Sequence, residues 1–147
     1  LVKLGFTNID ALEPCEALAK KALEKNIYKK WHKAYVCKDR LPINDDVYDV
    51  VYSVGVFGPA HAREDSFEEL IRILKPGGQI MTVMAARYFN YPCMANFEPR
   101  ILELEKEGVL IYRDKRIVPD YLTDPQKLRD GAVLILEKPM TNQTSCQ

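Results

Sequence analysis

The chain has 147 residues, of which 47% are hydrophobic and 29% charged, a composition that suits one globular domain with a single core and is too short for two. Its 21 basic and 21 acidic residues cancel, so we expect no strongly basic nucleic-acid surface, although a local patch stays open. No apolar run approaches the ~18 residues of a membrane span, and no signal peptide is evident. The four cysteines are widely spaced, which favours reduced thiols in the cytoplasm over a metal cluster.

The first third of the chain predicts a strand, a helix and a second strand. We expect Asn8–Leu12 to form a short buried strand. Pro14 suits the first turn of a helix that runs to about Lys25, because the N–H that proline lacks would have no partner there. Lys33–Cys37 is the candidate for the second strand.

The middle of the chain predicts one parallel crossover unit. Leu41–Asp46 holds turn-forming residues and should be a loop. Val47–Val54 is almost continuously apolar, which is typical of a strand covered on both faces. An amphipathic helix is expected over Asp65–Lys75, and Pro76–Gly78 should end it with a turn. Gln79–Ala85 then reads as a second buried strand.

The last third predicts a helix followed by two strands. Apolar residues at helical spacing mark the helix within Phe97–Leu104. Strands are expected at Val109–Tyr112, with a possible extension to Val118, and at Ala132–Glu137, and the two could pair antiparallel. The polar tail, residues 140–147, is expected to be flexible.

The predicted order is strand-helix-strand-strand-helix-strand-helix-strand-strand. Strands that alternate with helical crossovers favour an α/β fold with a mostly parallel sheet and flanking helices. We expect residues 1–139 to form this domain. In open parallel sheets, ligands bind outside the carboxyl ends of the strands, so the residues that directly follow each strand are the candidates for a site.

Glu13 is the first of these candidates, because it stands at the end of the first strand and just before a helix. A carboxylate has two acceptor oxygens and can bind both hydroxyls of a ribose. The alternative is that Glu13 only favours the helix N-terminus through the helix dipole.

Three motifs in order resemble the class I S-adenosylmethionine (SAM) methyltransferases. Ile9–Leu18 is similar to the second strand and helix of that family, where an acidic residue ends the strand. Leu41–Ile43 followed by Tyr48–Val51 is similar to its Leu-Pro and aromatic-Asp-x-Val pattern, and Leu74–Gly78 to its Leu-Lys-Pro-Gly-Gly turn. The resemblance covers Leu4–Met84 by motif and is closest to the methyltransferase-like proteins of the Williams–Beuren region.

This resemblance implies a Rossmann-like fold, SAM as cofactor and a small-molecule, or else a protein, methyl acceptor. It implies that Glu13, followed by Pro14, contacts the ribose, and that Asp39 lies on the adenine side. It also implies that Ser53 and Val54 face the methionine part of SAM. The alternatives are a solvated loop charge for Asp39 and ordinary strand-end packing for Ser53 and Val54.

Other polar and aromatic residues follow the predicted strands. His61 could act as a general base or be an exposed loop residue. Arg87, Tyr88, Phe89 and Tyr91 could line a substrate pocket or pack under the next helix. No dedicated catalytic residue is required, because the cofactor already carries the activated methyl group. The Pro-Pro-aromatic motif of base-methylating enzymes is absent after Val54, which disfavours nucleic acid as substrate.

One family feature is missing from the sequence. The first strand of the family and its Gly-x-Gly-x-Gly loop should precede Leu1, and the chain does not contain them. We therefore expect a fragment or a processed chain, in which the sheet leaves a gap, pairs its neighbouring strands directly or borrows a strand. The alternative function is a non-catalytic, methyltransferase-like binding or scaffold module. A nicotinamide-dependent dehydrogenase is disfavoured, because its Gly-rich fingerprint is absent as well.

Overall fold

The computed structural model describes residues 1–121 and 130–140, and the chain divides into two compact units. The first unit consists of Leu1–Val36 and Arg40–Pro42, and the second of Cys37–Asp39 and Ile43–Gln147. The predicted order of three helices and six strands is confirmed. Among the described residues, no helix has the length and apolar character needed to span a membrane.

The first unit is a small β-α-β element. Strand β1, Ala11–Leu12, leads into helix α1, Glu16–Leu23, and then into strand β2, Trp31–His32. The two strands are parallel, with Ala11 opposite Trp31 and Leu12 opposite His32. The strand predicted at Lys33–Cys37 is therefore wrong in position.

Two local contacts explain how this unit differs from the sequence prediction. The Trp31 indole Nε1 donates to the Glu13 carbonyl at 2.8 Å, which holds Trp31 rather than the following segment beside β1. Cys15 is the N-cap of α1, so Pro14 lies before the helix and not in its first turn. The carboxylate of Glu13 accepts the hydrogen bond of the Cys15 N–H at 2.9 Å and fixes this entry.

The second unit is a four-stranded sheet in the order β3-β4-β6-β5. Strands β3 and β4 are parallel, and β6 runs antiparallel to both β4 and β5, so three of the four strands point the same way. The elements are β3 Tyr48–Val54, α2 Phe67–Ile73, β4 Leu74–Ala85, α3 Phe97–Lys106, β5 Ile111–Val118 and β6 Gly131–Glu137. The chain has a Rossmann-like α/β fold with mostly parallel strands and flanking helices, as predicted.

The Pro-Gly-Gly segment differs from the expected turn. Helix α2 ends at Ile73, and β4 begins at once with Leu74, opposite Tyr48. The pairing then advances to Val50 opposite Gln79, so five steps along β4 match two along β3. The segment is thus an irregularity within the strand pair, with Gly77 at φ 77°, a conformation that favours glycine.

The core of the second unit lies on one face of its sheet. Phe57, Phe67 and Phe97 are fully buried, and their ring centroids lie 5.2–5.5 Å apart. On β4, Ile80 and Met84 point to the same side and are buried as well. Helices α2 and α3 supply two of the three aromatic rings and so hold this face closed.

The opposite face of β3 is open, which corrects the expectation that both faces are covered. Val50, Tyr52 and Val54 are each 41–52% exposed. Within the described residues, β3 pairs only with β4, and β1 and β2 form a separate sheet. The predicted gap, direct pairing or borrowed strand at this edge of β3 stays a prediction.

The cysteines and the tail can be described in part. Cys15 and Cys93 are exposed free thiols, Cys37 is half-buried, and Cys146 lies outside the described residues. Of the predicted flexible tail only Met140 is described, and its side chain lies against Gly77. The flexibility predicted for residues 141–147 concerns a segment outside the described part of the chain.

Candidate functional site

Glu13 lies directly after β1, where the sequence predicts it. It is half-buried, and its backbone N–H donates to the His32 carbonyl at 3.1 Å, which ties it to the end of β2. One carboxylate oxygen accepts the Cys15 N–H, so the contact with the helix entry is observed. That bond uses one of about four acceptor positions of a carboxylate. The group therefore retains the capacity to bind the two hydroxyls of a ribose, and this contact stays a prediction.

Pro14 and Asp39 occupy loops of different units. Pro14 is half-buried between Glu13 and the N-cap of α1, where its ring fixes the backbone next to the carboxylate. Asp39 is exposed and belongs to the segment Cys37–Asp39 of the second unit. This exposure agrees with a solvated loop charge, and an adenine contact stays a prediction.

At the end of β3, the hydroxyl of Ser53 faces the core, whereas the backbone groups of Val54 face the open edge of the sheet. The Ser53 hydroxyl donates to the hydroxyl of fully buried Thr82 at 2.8 Å, so its side chain takes part in strand-end packing. The Gly55 N–H donates to the Val83 carbonyl at 2.8 Å. Because backbone groups alternate in direction along a strand, Val54 directs its own N–H and C=O away from β4.

These groups fit the chemistry of SAM. The donor and acceptor of Val54 can bind an amino acid group, and the carboxylate of Glu13 can bind a ribose. Val54 is 48% exposed, so its edge is accessible. Glu13 belongs to the first unit and Val54 to the second. Within residues 1–121 and 130–140, no cluster of three or more His, Cys, Asp or Glu side chains is arranged to hold a metal ion.

The residues after β4 divide between the two roles that the sequence leaves open. Phe89 packs edge-on against Phe97 of α3, with a centroid distance of 6.1 Å, and the Lys115 ammonium lies 4.2 Å from its ring centre. Phe89 therefore packs under the next helix. Tyr88 instead faces the loop after β3 and lies 5.6 Å from the ring of Tyr91, which is 42% exposed. These two tyrosines stay candidates for an acceptor pocket.

Tyr121 was not identified from the sequence and lies at the same end of the sheet. It follows β5, and its hydroxyl would lie 3.4 Å from a Cβ at Gly55, directly after β3. Burial raises the pKa of the Tyr121 hydroxyl, and the nearby hydroxyls of Tyr88 and Tyr52 raise it further. His61, by contrast, is an exposed loop residue. A tyrosine in a polar loop gives no signal by spacing, and only the glycine opposite it hints at a close approach.

Comparisons with known proteins agree on one fold. The sequence profile of the methyltransferase domain matches residues 1–82. No curated protein matches the chain significantly. Solved structures of similar fold are found, and those named below are 12–16% identical to this chain.

Three of these structures illustrate the range. In the complex of the Trm112 methyltransferase activator with a candidate methyltransferase from Haloferax volcanii, the similar chain is 16% identical with a TM-score of 0.65, and the match covers 92% of this chain and 74% of that one. The N-methyltransferase NodS from Bradyrhizobium japonicum, with S-adenosyl-L-homocysteine (SAH) bound, is 12% identical with a TM-score of 0.61, covering 90% and 67%. The [4+2]-cyclase SpnF is 13% identical with a TM-score of 0.62, covering 90% and 67%. At this identity the likeness shows the fold alone, and SpnF shows that the fold also occurs in a protein named for a different reaction.

Proposed function

This chain belongs to the methyltransferase-domain family, whose cofactor is SAM, and we propose that it transfers the methyl group of SAM to a small-molecule acceptor. The observation that carries the proposal is the match of residues 1–82 to the methyltransferase domain. Within the first unit, the carboxylate of Glu13 follows β1; within the second, the backbone of Val54 is open at the end of β3. The exposed thiols of Cys15 and Cys93 support a reducing, cytoplasmic location as part of the same proposal.

Each proposed cofactor contact uses a group described above. Glu13, held by the rigid Pro14, accepts the ribose hydroxyls, and Asp39 accepts from the adenine amino group. Val54 offers its backbone to the methionine part. The hydroxyl of Ser53 donates its proton to Thr82, so it can only accept a hydrogen bond from the cofactor. The backbone of Ser53 positions the neighbouring Val54.

The chemistry asks little of the protein beyond positioning. When bound, SAM supplies a methyl group activated by its sulfonium. The chain holds the acceptor in line and excludes water, and such orientation can contribute ~7–11 kcal/mol. Tyr88 and Tyr91, after β4, are the residues proposed to border the acceptor. Balanced charge and the absence of a base-methylating motif favour a small molecule over nucleic acid.

A second candidate function is a non-catalytic module of the same fold. It is supported by SpnF, a protein of similar fold that is named for a different reaction, because one fold can carry different functions. A module of this kind would keep the fold and bind SAM weakly or not at all.

Isothermal titration of the chain with SAM separates the two functions. The enzyme requires binding that weakens about tenfold in Glu13→Gln, since the neutral amide accepts fewer and weaker hydrogen bonds. Glu24→Gln is the matched control, because Glu24 is an exposed residue at the other end of α1. Absence of binding at millimolar SAM would contradict the enzymatic proposal and favour the non-catalytic module.

A further inference from the structure

The loops at one edge of the second unit converge on the end of β3. Because β3, β4 and β5 run in the same direction, the loops that follow them all leave from the carboxyl ends of these strands. The antiparallel strand β6 begins at that same end of the sheet. Tyr121, after β5, lies against Gly55, after β3, and the hydroxyl of Tyr88, after β4, is close enough to raise the pKa of Tyr121. An arrangement of this kind concentrates side chains beside the end of β3.

Tyr121 is fixed at both ends by glycine. A Cβ at Gly131 would lie 2.8 Å from the Cβ and Cγ of Tyr121, so the base of the ring rests directly on the backbone of β6. At the other end, the phenolic oxygen lies over Gly55, which has φ 68°. The residue immediately before Gly55 is Val54, whose backbone is proposed to hold the methionine part of the cofactor. The phenolic oxygen of Tyr121 therefore lies next to the space proposed for the methionine part of the cofactor.

A second phenol approaches the same place from β3 itself. Tyr52 is 52% exposed and lies on the open face of the sheet, the side to which Val54 also points. Its hydroxyl and that of Tyr88 are close enough to Tyr121 to add to the rise of the Tyr121 pKa. All three hydroxyls belong to the second unit, and a raised pKa keeps the Tyr121 phenol neutral at physiological pH.

Tyr88 differs from Tyr52 and Tyr121 because both faces of its ring contact other residues of the protein. The Arg87 guanidinium lies 5.3 Å from the centre of the Tyr88 ring, as in a cation–π contact. The other side of that ring faces Gly58, where a Cβ would lie 2.9 Å from Cε2. The exposed ring of Tyr52 and the phenolic oxygen of Tyr121 are thus the groups that can contact a ligand beside Gly55.

Neutral phenols distinguish the methyl donor from its product by charge. SAM carries a positive sulfonium, and SAH, formed when the methyl group leaves, carries a neutral thioether. Phenolic oxygens attract a cation and the polarised C–H groups beside it, and tyrosine rings attract cations through their quadrupole. The same groups gain nothing comparable from a thioether.

We propose that Tyr52 and Tyr121 form a sulfonium-selective wall beside Gly55, which favours binding of SAM over SAH and so promotes release of the product. The proposal rests on the proposed function, because it assumes that the methionine part of SAM lies at Val54. It assigns these tyrosines to cofactor discrimination and not to the chemical step.

Titration of the folded chain with SAM and, separately, with SAH tests the wall. In Tyr121→Phe and Tyr52→Phe, which remove the phenolic oxygen and keep the ring, the ratio of the SAH Kd to the SAM Kd should fall by about two- to fivefold, through weaker binding of SAM with SAH affinity nearly unchanged. Tyr48→Phe is the matched control, because Tyr48 begins β3 and so lies at the opposite end of that strand from Gly55. Circular dichroism confirms that each variant is folded.

The possible failures are distinguishable. If a variant weakens SAM and SAH equally, or changes neither, the wall is overturned and the methyltransferase proposal stands. If the native chain binds neither ligand, both proposals fail together. A ratio that falls in Tyr48→Phe as much as in Tyr121→Phe would also overturn the assignment.

Discussion

Gly58 is buried against the ring of Tyr88, and this single contact positions one side of the candidate acceptor pocket. A hydrogen atom is all that fits there, because a Cβ would lie 2.9 Å from the ring. The glycine is therefore required by packing rather than by backbone conformation. Gly131 has the same relation to Tyr121.

Gly58→Ala should destabilise the second unit by about 1–3 kcal/mol, because the methyl group overpacks against Tyr88. Urea unfolding gives the free energy of unfolding. The control is the same substitution in a Tyr88→Ala background, where the clash is gone and the cost should fall below about half. An equal cost in both backgrounds would show that the ring is not the obstacle.

Residue-scale prediction from the sequence succeeded where a residue borders a regular element. Glu13 could be placed after a strand because an apolar run ends there, and the structure puts it at that position. Tyr121 could not be found, because its contact with Gly55 depends on where a loop after β5 crosses the end of β3. No local pattern encodes a contact between segments so far apart in sequence.

At the scale of elements, the hydrophobic pattern predicted order better than boundaries. Strand β3 and helix α3 were found within one or two residues, because both have strong periodicity and clear end signals. Strand β2 was misplaced, since a two-residue strand has no periodicity and is selected by its partner β1. The irregular start of β4 was likewise set by pairing with β3.

Glu137 joins three strands and gives the sheet a dependence on pH. It lies on β6, accepts two hydrogen bonds from Arg113 of β5 at 2.7 and 2.9 Å, and one from Gln79 of β4 at 3.2 Å. The bond with Arg113, and then that with Gln79, lowers the pKa of Glu137 below its ordinary value of 4.5. The folded state therefore binds this proton more weakly than the unfolded state.

The stabilisation from Glu137 should be complete above pH 4.5 and be lost as the pH falls through the lower, folded-state pKa. Glu137→Gln should thus lower the unfolding free energy at about pH 7 and make little difference at about pH 3. Urea titrations at both pH values measure the change. Exposed Glu24→Gln should show no such dependence, and a pH-independent effect of Glu137→Gln would contradict the linkage.

At the scale of the whole molecule, the two units differ in how much core they contain. Ala19 and Leu41 are the buried apolar residues that the described part of the first unit contributes. The second unit contains the aromatic cluster and the buried faces of β4 and β6. Stability within one chain follows such differences in packed apolar area.

Amide hydrogen exchange should reflect this difference. Ile80–Met84 lie on β4, which is paired on both sides, and should exchange most slowly, at rates set by global unfolding. Ala11 and Leu12 lie in a two-residue ladder and should exchange much faster. Mass spectrometry of peptides from each unit measures both. Equal protection in the two units would mean that they unfold as one.

The two outer strands of the second unit, β3 and β5, differ in the side chains that they expose to solvent. Along β5, the side chains of Arg113 and Arg116 are 49% and 72% exposed, and such charges discourage edge-to-edge stacking of chains. Along β3, Val50, Tyr52 and Val54 offer apolar surface with no comparable charge among them. At high concentration the protein should therefore aggregate through the exposed side of β3. Val50→Lys should reduce this aggregation, which light scattering measures.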